Sequence, residues 1–385
     1  MSEQKNELSA LERHSLKWSA RWSYDMPDES PRSRSAFIPV LKKMERNVIL
    51  RGALAGALSG IAAALGMLLA EPYAPVEGQP AIWEDQVIFY AIFLSVAMIA
   101  TVLEIAYLYY DGMKVAVRMG RMTGAVPTDA DTDSEDVRLA LIQAGLEIPA
   151  RQKPLFGIDP LAEKNRWLLL LFALSYKLKI SVTSFVVKAF VKRLFARFSG
   201  RVVGRAAIEL VAVPIFAIWN AIVCRQVMLQ ARVRALGPLL VDETMLLLFP
   251  QGLESTPSDF KRGILLTIRH HILSCGCFHP NTVLLTKKIL GVKSDHSDES
   301  ADITGELHEH LNTLSSDQQK VLVEFFTLLC AYGGRPKRDE RKALQTLCEH
   351  TNLQPDSKRL QAYIEAVMEG KDLAEVASGR LTLLP

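Results

Sequence analysis

The sequence lacks the short motifs of the familiar catalysts. It has no phosphate-cradling GxxxxGK[ST] loop, no GxGxxG turn after a strand, no GxSxG nucleophile elbow and no HExxH zinc helix. Each of these motifs supplies a backbone cradle, an activated nucleophile or a metal ligand pair, so catalysis by these routes has no support in the sequence. We therefore look for function in the architecture of the chain.

Cysteine is scarce, and charge of one sign is not in large excess. The five cysteines form no spaced framework, which excludes a disulfide-rich scaffold and favours a reducing compartment. The formal net charge is only +3, but basic residues crowd the N-terminal arm and the middle, while acids gather in connecting stretches. Basic residues in the middle are not interleaved with aromatics on predicted strands, so we do not expect a nucleic-acid partner.

Composition indicates a protein with both membrane and soluble parts. Hydrophobic residues make up 49% of 385 residues, while 23% are still charged. This balance fits neither an ordinary soluble enzyme nor a polytopic carrier, and the length allows two or three cooperative units. The first forty residues are polar and basic with no cleavable signal, so we expect internal segments to direct membrane insertion.

Two long apolar runs predict a transmembrane hairpin. Residues 48–70 and 87–110 each reach the roughly 20 residues that cross about 30 Å of hydrocarbon. The connection 71–85 contains no Lys or Arg, whereas basic residues flank the pair on both sides. The positive-inside rule therefore predicts both termini in the cytoplasm and the hairpin in a bacterial-type cytoplasmic (inner) membrane. The flanking basic residues are Lys42, Lys43, Arg46, Arg51, Lys114, Arg118 and Arg121.

Small and polar residues within the spans are candidate packing and functional positions. Gly52, Gly56 and Gly60 recur every four residues and present a face that another helix can approach closely. This face either packs on the other helix of the hairpin, contacts a second copy of the chain, or lines a pore. Glu104 is either a carboxylate that snorkels to the interface or a buried polar or ion site.

The segments that flank the hairpin also carry recognisable patterns. Trp18 and Trp22, with Lys17 and Arg21 beside them, suit either an interfacial membrane anchor or docking on the protein's own cytoplasmic body. After the hairpin, 113–136 is a basic and then acidic linker. Its acidic stretch resembles the start of an EF-hand loop, but Ser and Ala stand where that loop needs Gly and Glu, so we expect no calcium.

The basic middle of the chain predicts amphipathic helices that can contact anionic lipids. Lys192, Arg193, Arg201 and Arg205 are the candidate headgroup contacts; the alternative is that these side chains reach from a core helix into solvent. The apolar stretch 210–224 is short and interrupted by Pro and Asn. We therefore predict a buried or partly embedded helical hairpin there rather than a third span.

A cluster of thiols and imidazoles follows. His271, Cys275, Cys277 and His279 are candidate metal ligands because both side-chain types bind zinc. Their spacing matches no common zinc pattern, so the alternative is a set of helix-end residues and small buried thiols. No other cofactor is expected.

Two regions resemble known bacterial families. The pairs Gly200-Arg201 and Gly204-Arg205, followed by the stretch from Glu209 to Asn220, resemble the poorly characterised EcsC-like proteins over residues 159–290. This resemblance implies membrane association without a defined activity.

The C-terminal region resembles the TerB-like helical domain of tellurite-resistance and stress proteins over residues 314–385. The phrase FFTLLCAYGGRPKRDE carries the likeness, with Leu344, Leu347 and Asn352-Leu after it. Gly334 and Glu340 match the family pattern, whereas Gly333 replaces its usual Asp, which counts against the family's acidic metal site. The resemblance implies an all-helical adaptor or sensor module.

Together these patterns predict an all-α protein with an N-terminal transmembrane hairpin followed by cytoplasmic helical domains. The predicted divisions are an arm 1–46, a hairpin 47–112, a linker 113–136, a basic helical domain 137–300 and a helical bundle 301–385. The favoured function is a membrane-anchored scaffold or adaptor in envelope or stress response, with protein partners or a second copy. The alternatives are a subunit of a transport assembly and a lipid-acting or metal-dependent enzyme.

Overall fold

A computed structural model gives the fold of the protein, and its described residues contain thirteen α-helices and no β-strand, which confirms the all-α prediction. The described residues are 10–25, 34–74, 83–126, 132–148, 155–156, 158–160, 204–291 and 303–382. The helices are α1 (Ala10–Asp25), α2 (Arg34–Ala70), α3 (Trp83–Met122), α4 (Thr132–Gly145), α5 (Gly204–Ala235), α6 (Gly237–Leu248), α7 (Ser258–Cys275), α8 (Pro280–Leu290), α9 (Ile303–Thr313), α10 (Ser316–Ala331), α11 (Arg338–His350), α12 (Ser357–Glu369) and α13 (Leu373–Ala377).

The chain divides into two compact units that alternate along the sequence. Unit 1 consists of Met1–Leu41, Ala116–Lys164 and Leu229–Pro385, and unit 2 consists of Lys42–Val115 and Asn165–Met228. Unit 2 thus contains both predicted spans and most of α5, while unit 1 contains the remaining described helices.

Unit 1 is organised around α7, which packs on α9, α10 and α11. Phe260, Ile264, Ile268 and Ile272 recur every fourth residue of α7 and are almost fully buried. That spacing places all four side chains along one side of the helix. Each such burial stabilises the fold by roughly 1.5–3 kcal/mol, so this stripe fixes α7 within the core.

The ends of α7, α8 and α11 are set by local chemistry. Gly276 follows α7 with φ 68°, a left-handed conformation that glycine adopts without a steric penalty. His279 caps α8, and Pro280 fits its first turn because proline lacks only an N–H that is unpaired there. At the start of α11, the Glu340 carboxylate accepts the backbone N–H of Lys337. These helix ends position the thiols described below.

The structure differs from the predicted hairpin at 210–224. One continuous helix, α5, runs from Gly204 to Ala235 through Pro214. A single proline removes one backbone donor, and long apolar helices tolerate this when neighbouring helices pack around them. Asn220 lies within this continuous helix, and its side-chain amide donates to α2 and α3.

Candidate functional site

Among the described residues, three helical segments are long and apolar enough to cross a membrane. They are Ala36–Tyr73 with 38 residues, Trp83–Met122 with 40 and Val213–Ala235 with 23. The first two contain the predicted spans, and the third adds a candidate that the sequence analysis had not counted as a span.

The outward surfaces of α2 and α3 in unit 2 are apolar and uncovered. On α2, Leu50, Leu54 and Leu58 are 56%, 63% and 65% exposed, on the side opposite the glycine face. On α3, Met98 and Leu103 are 63% and 65% exposed. Soluble proteins seldom expose such continuous apolar surface, whereas hydrocarbon accommodates it without cost. Other exposed apolar side chains are Leu65, Leu68, Leu69, Val87, Ile88, Leu94, Ile99, Val102 and Ile105.

The glycine face of α2 lies against α5. A Cβ atom on Gly56 would lie 2.6 Å from the carbonyl oxygen of Phe216, and one on Gly60 would lie 3.1 Å from the Cα of Val213. Gly52 similarly faces Cys224. The face therefore packs within the chain, on the third apolar helix rather than on the other helix of the hairpin.

Helices α2 and α3 contact each other through residues outside the glycine face. Arg51 pairs with Asp111 at one end of the hairpin, and a Cβ on Gly66 would lie 2.9 Å from the Cβ of Val96. Arg51 and Gly66 are fifteen residues apart on α2, and Val96 and Asp111 are fifteen apart on α3. Equal spacing in opposite directions defines an antiparallel register over roughly 22 Å of helix.

Glu104 is part of a polar cluster that joins the three described helices of unit 2. The amide of Asn220 on α5 donates to Glu104 Oε1 on α3 and, at 3.3 Å, to the carbonyl oxygen of Gly52 on α2. Asn220 is 8% exposed. Polar groups that lack water must find partners inside the protein, and here one amide serves two acceptors.

A second cluster, here called the thiol site, lies in unit 1 and comprises Cys275, Cys277 and Lys337. The two sulfur atoms are 3.7 Å apart across Gly276, within hydrogen-bond distance of each other, and the Cys277 carbonyl oxygen lies 2.7 Å from Cys275 Sγ. The Lys337 ammonium lies 3.0 Å from the Cys275 carbonyl oxygen and 3.5 Å from Cys277 Sγ. Cys275 is buried, while Cys277 is partly exposed and Lys337 lies at the surface.

The pKa values of the two thiols are shifted in opposite directions. The hydrogen bond from Cys275 lowers the pKa of Cys277, burial opposes this, and the Lys337 charge lowers it further. The same hydrogen bond, with burial, raises the pKa of Cys275. Cys277 is therefore the thiol that ionises, and Cys275 is the one that keeps its proton.

His271 and Glu340 lie next to the thiol site and bond to each other. The distance from His271 Nε2 to Glu340 Oε1 is 3.0 Å, and Glu340 Oε2 accepts the Lys337 N–H at 2.6 Å. Burial alone would raise the pKa of Glu340, but the bonds from His271 and Lys337 outweigh it and lower the pKa. This carboxylate therefore connects α7 to the start of α11.

The four candidate metal ligands have separate roles in the structure. Cys275 and Cys277 face each other, His271 bonds to Glu340, and His279 accepts the Asn281 N–H at 3.3 Å as a helix cap. Within the part of the chain that the structure describes, no group of three or more His, Cys, Asp or Glu side chains is placed to hold a metal ion.

Several other candidates fall where the structure gives no side-chain detail. Lys192, Arg193 and Arg201 lie outside the described residues, and Arg205 lies in α5 at a position whose side chain is not described. On α1, Trp18 is 46% exposed and Trp22 is half-buried.

The sequence analysis missed the partners that complete both clusters. Asn220 was noted only as an interruption of an apolar run, although an amide at that place signals an internal hydrogen bond. Lys337 follows Cys277 by sixty residues, and no local spacing connects the two.

Comparison with known proteins gives no relative from which a function can be transferred. No protein-family model, curated protein or solved structure matches the chain. The resemblances to EcsC-like and TerB-like proteins therefore remain predictions from sequence.

Proposed function

We propose that the protein is a membrane-anchored helical scaffold or adaptor that acts in envelope or stress response from the cytoplasmic face of the inner membrane. The uncovered apolar surface of α2 and α3 is the observation that carries this proposal. An apolar surface of this length has to be covered, and a bilayer covers it along its whole length.

Contacts within unit 1 support a location of both termini on one side of the membrane. Gln143, which follows the hairpin, donates to Glu12, which precedes it, at 2.9 Å. Thr123, also after the hairpin, donates to the carbonyl oxygen of Ala235 at the end of α5, at 2.8 Å. Residues in direct contact lie on the same side of a bilayer, and the distribution of Lys and Arg supports the cytoplasm as that side.

This arrangement constrains α5. The contact of Ala235 with Thr123 would place the C-terminal end of α5 on the cytoplasmic side, so α5 either enters the bilayer part-way or crosses it completely. A cysteine introduced at position 204 distinguishes the two, because only the second arrangement exposes it to the outside.

Labelling with a membrane-impermeant maleimide tests the topology. Native cysteines are replaced by serine, and single cysteines are introduced at exposed positions of the full chain. We expect Glu71→Cys, in the connection between the spans, to react in intact cells, and His14→Cys, Ser255→Cys and Glu375→Cys to react only after permeabilisation. Labelling of any of the last three from outside, or release of the protein by alkaline carbonate, would contradict the proposal.

The scaffold activity requires partners. Lys192, Arg193, Arg201 and Arg205 would contact anionic lipids, and the C-terminal helices would bind protein partners or a second copy, as the TerB-like and EcsC-like resemblances suggest. Affinity capture from membranes, followed by identification of lipids and proteins, tests this. We expect Arg201→Ala with Arg205→Ala to lower co-purified anionic lipid, while the exposed pair Arg262→Ala with Lys320→Ala leaves it unchanged.

A subunit of a transport assembly is the second candidate, and the Glu104–Asn220 contact favours it. A carboxylate within a span marks ion or proton pathways in many transporters. If Glu104 has that role, Glu104→Gln keeps the hydrogen bond with Asn220 but abolishes ion or proton flux in proteoliposomes. Flux that is absent in the wild-type protein, or unchanged in both Glu104→Gln and Glu104→Ala, would remove this candidate.

A further inference from the structure

The thiol site has the geometry of a cysteine pair that can be oxidised. Cys275 Sγ and Cys277 Sγ are 3.7 Å apart, so rotation about the side-chain bonds has to bring them closer by roughly 1.7 Å to form a bond. Gly276 between them has no Cβ and lies in the left-handed region, which leaves the backbone free to adjust. The two thiols are therefore placed for an intramolecular reaction.

The surroundings of Cys277 favour a thiolate that reagents can reach. The Lys337 ammonium is 3.5 Å from Cys277 Sγ, close enough to stabilise a negative charge on the sulfur. Cys277 is partly exposed, whereas Cys224, Cys330 and Cys348 are buried. Susceptibility to oxidation follows thiolate character and exposure, and Cys277 has both.

We propose that Cys275 and Cys277 are a reversible redox site at which a hydroperoxide oxidises Cys277 and Cys275 resolves the product to a disulfide. This site is independent of the proposed scaffold function. Oxidation of the two thiols would act as a signal to unit 1.

The reaction proceeds in two balanced steps. The Cys277 thiolate attacks one oxygen of hydrogen peroxide, the O–O bond breaks, and hydroxide leaves and takes a proton to become water. The Cys275 sulfur then attacks the Cys277 sulfur, the S–O bond of the sulfenic acid breaks, and water leaves with the Cys275 proton. Two thiols are oxidised, one peroxide is reduced, and a thiol reductant reverses the change.

Oxidation also removes a charge contact. Lys337 loses the thiolate that it faces, while its backbone N–H stays bonded to Glu340. The contact of Lys337 with the turn between α7 and α8 should weaken, and amide hydrogen exchange in that turn and at the start of α11 should increase.

Peptide mass spectrometry of the full-length protein in nanodiscs tests the proposal. After brief exposure to hydrogen peroxide, we expect the tryptic peptide from His270 to Lys287 to lose two hydrogen atoms and regain them with dithiothreitol. Cys275→Ser should stop the reaction at a sulfenic acid on Cys277, which dimedone traps. Cys277→Ser should leave Cys275 unmodified at the same dose.

A matched pair of lysine variants tests the role of the charge. We expect Lys337→Met to slow oxidation of Cys277 roughly tenfold at neutral pH, because a smaller fraction of the thiol is ionised. Lys342→Met, an exposed lysine on α11, the helix that Lys337 immediately precedes, should have no effect. Circular dichroism confirms that both variants fold.

Three results would overturn the proposal. They are oxidation of Cys277 no faster than that of Cys330 and Cys348, disulfides that form only between chains, and stoichiometric bound zinc that protects both thiols from peroxide.

Discussion

Asp111 on α3 receives two hydrogen bonds from the guanidinium of Arg51 on α2, from Nε at 2.9 Å and from Nη2 at 3.0 Å. The carboxylate side chain is 16% exposed and the arginine 39%. A bidentate pair of this kind is geometrically specific, so it fixes the register of the two helices as well as their separation.

The Arg51–Asp111 pair predicts a measurable coupling. We expect Arg51→Gln and Asp111→Asn each to destabilise unit 2, and a double-mutant cycle to give a coupling of about 1 kcal/mol, which added salt reduces. Unfolding in mixed detergent micelles provides the free energies. Lys43→Gln, an exposed lysine earlier on α2, is the control, and a coupling near zero would mean that the pair does not stabilise the hairpin.

Packing of α2 on α5 predicts that Gly56 tolerates no larger residue. A Cβ there would lie 2.6 Å from the Phe216 carbonyl oxygen and 2.7 Å from the Asn220 amide, so Gly56→Val has to separate the helices. We expect a loss of roughly 1–3 kcal/mol in the free energy of unfolding, as for other overpacked sites. Leu58→Val, on the exposed side of the same helix, should change little, and equal effects in both variants would argue against this packing.

The buried Glu340 carboxylate predicts a loss of stability in unit 1 when it is removed. Glu340→Ala leaves His271 and the Lys337 N–H without their acceptor, which should cost about 2 kcal/mol or more. Glu349→Ala, at an exposed position of α11, should stay within about 0.5 kcal/mol of the wild type. Thermal unfolding of the full-length protein measures both, and a Glu340→Ala variant as stable as the control would contradict the prediction.

The buried His270 predicts that unit 1 becomes less stable in acid. Burial, then the nearby His308 and His271, lowers the pKa of His270 from 6.5 to about 4. The unfolded chain therefore binds a proton that the folded chain does not, and stability present above about pH 6.5 is lost as the pH falls towards 4. The full effect is about 3 kcal/mol.

His270→Leu removes this titration. Neither ring nitrogen of His270 has a hydrogen-bond partner among the described residues, so the substitution should flatten the dependence of unfolding on pH at little other cost. His14→Gln, an exposed histidine on α1, should leave the dependence as in the wild type. An unchanged slope in His270→Leu would show that another group controls acid stability.

The parts of the fold that depend on local pattern could be predicted from the sequence. An apolar run of the right length lies within one segment, and so does the glycine repeat, which identifies a face for close packing. The partner of that face could not be predicted, because the interruption at Pro214 and Asn220 favoured a hairpin. In the structure, proline is accommodated within α5 and Asn220 bonds to α2 and α3, contacts that only the tertiary structure reveals.

The thiol site shows the same difference between what a local sequence pattern predicts and what only tertiary contacts reveal. The spacing of Cys275 and Cys277 is local, so the sequence could identify the pair as chemically distinctive. Lys337, whose positive charge lies beside the pair, immediately precedes α11 and is distant in sequence. His271 bonds to Glu340 rather than to the thiols. Sequence alone therefore left open whether these residues are metal ligands or small thiols at a helix end, whereas side-chain positions indicate a pair of sulfurs with a cation beside them.

The alternation of the two units along the chain sets an order of events during biosynthesis. Unit 1 draws on residues from before the hairpin, between the hairpin and α5, and after α5. A ribosome has delivered α1, α4 and both long apolar helices before it makes α7, around which unit 1 is organised. The early segments of unit 1 therefore remain incompletely packed until the C-terminal half has been synthesised. We expect a chaperone to shield them during this interval.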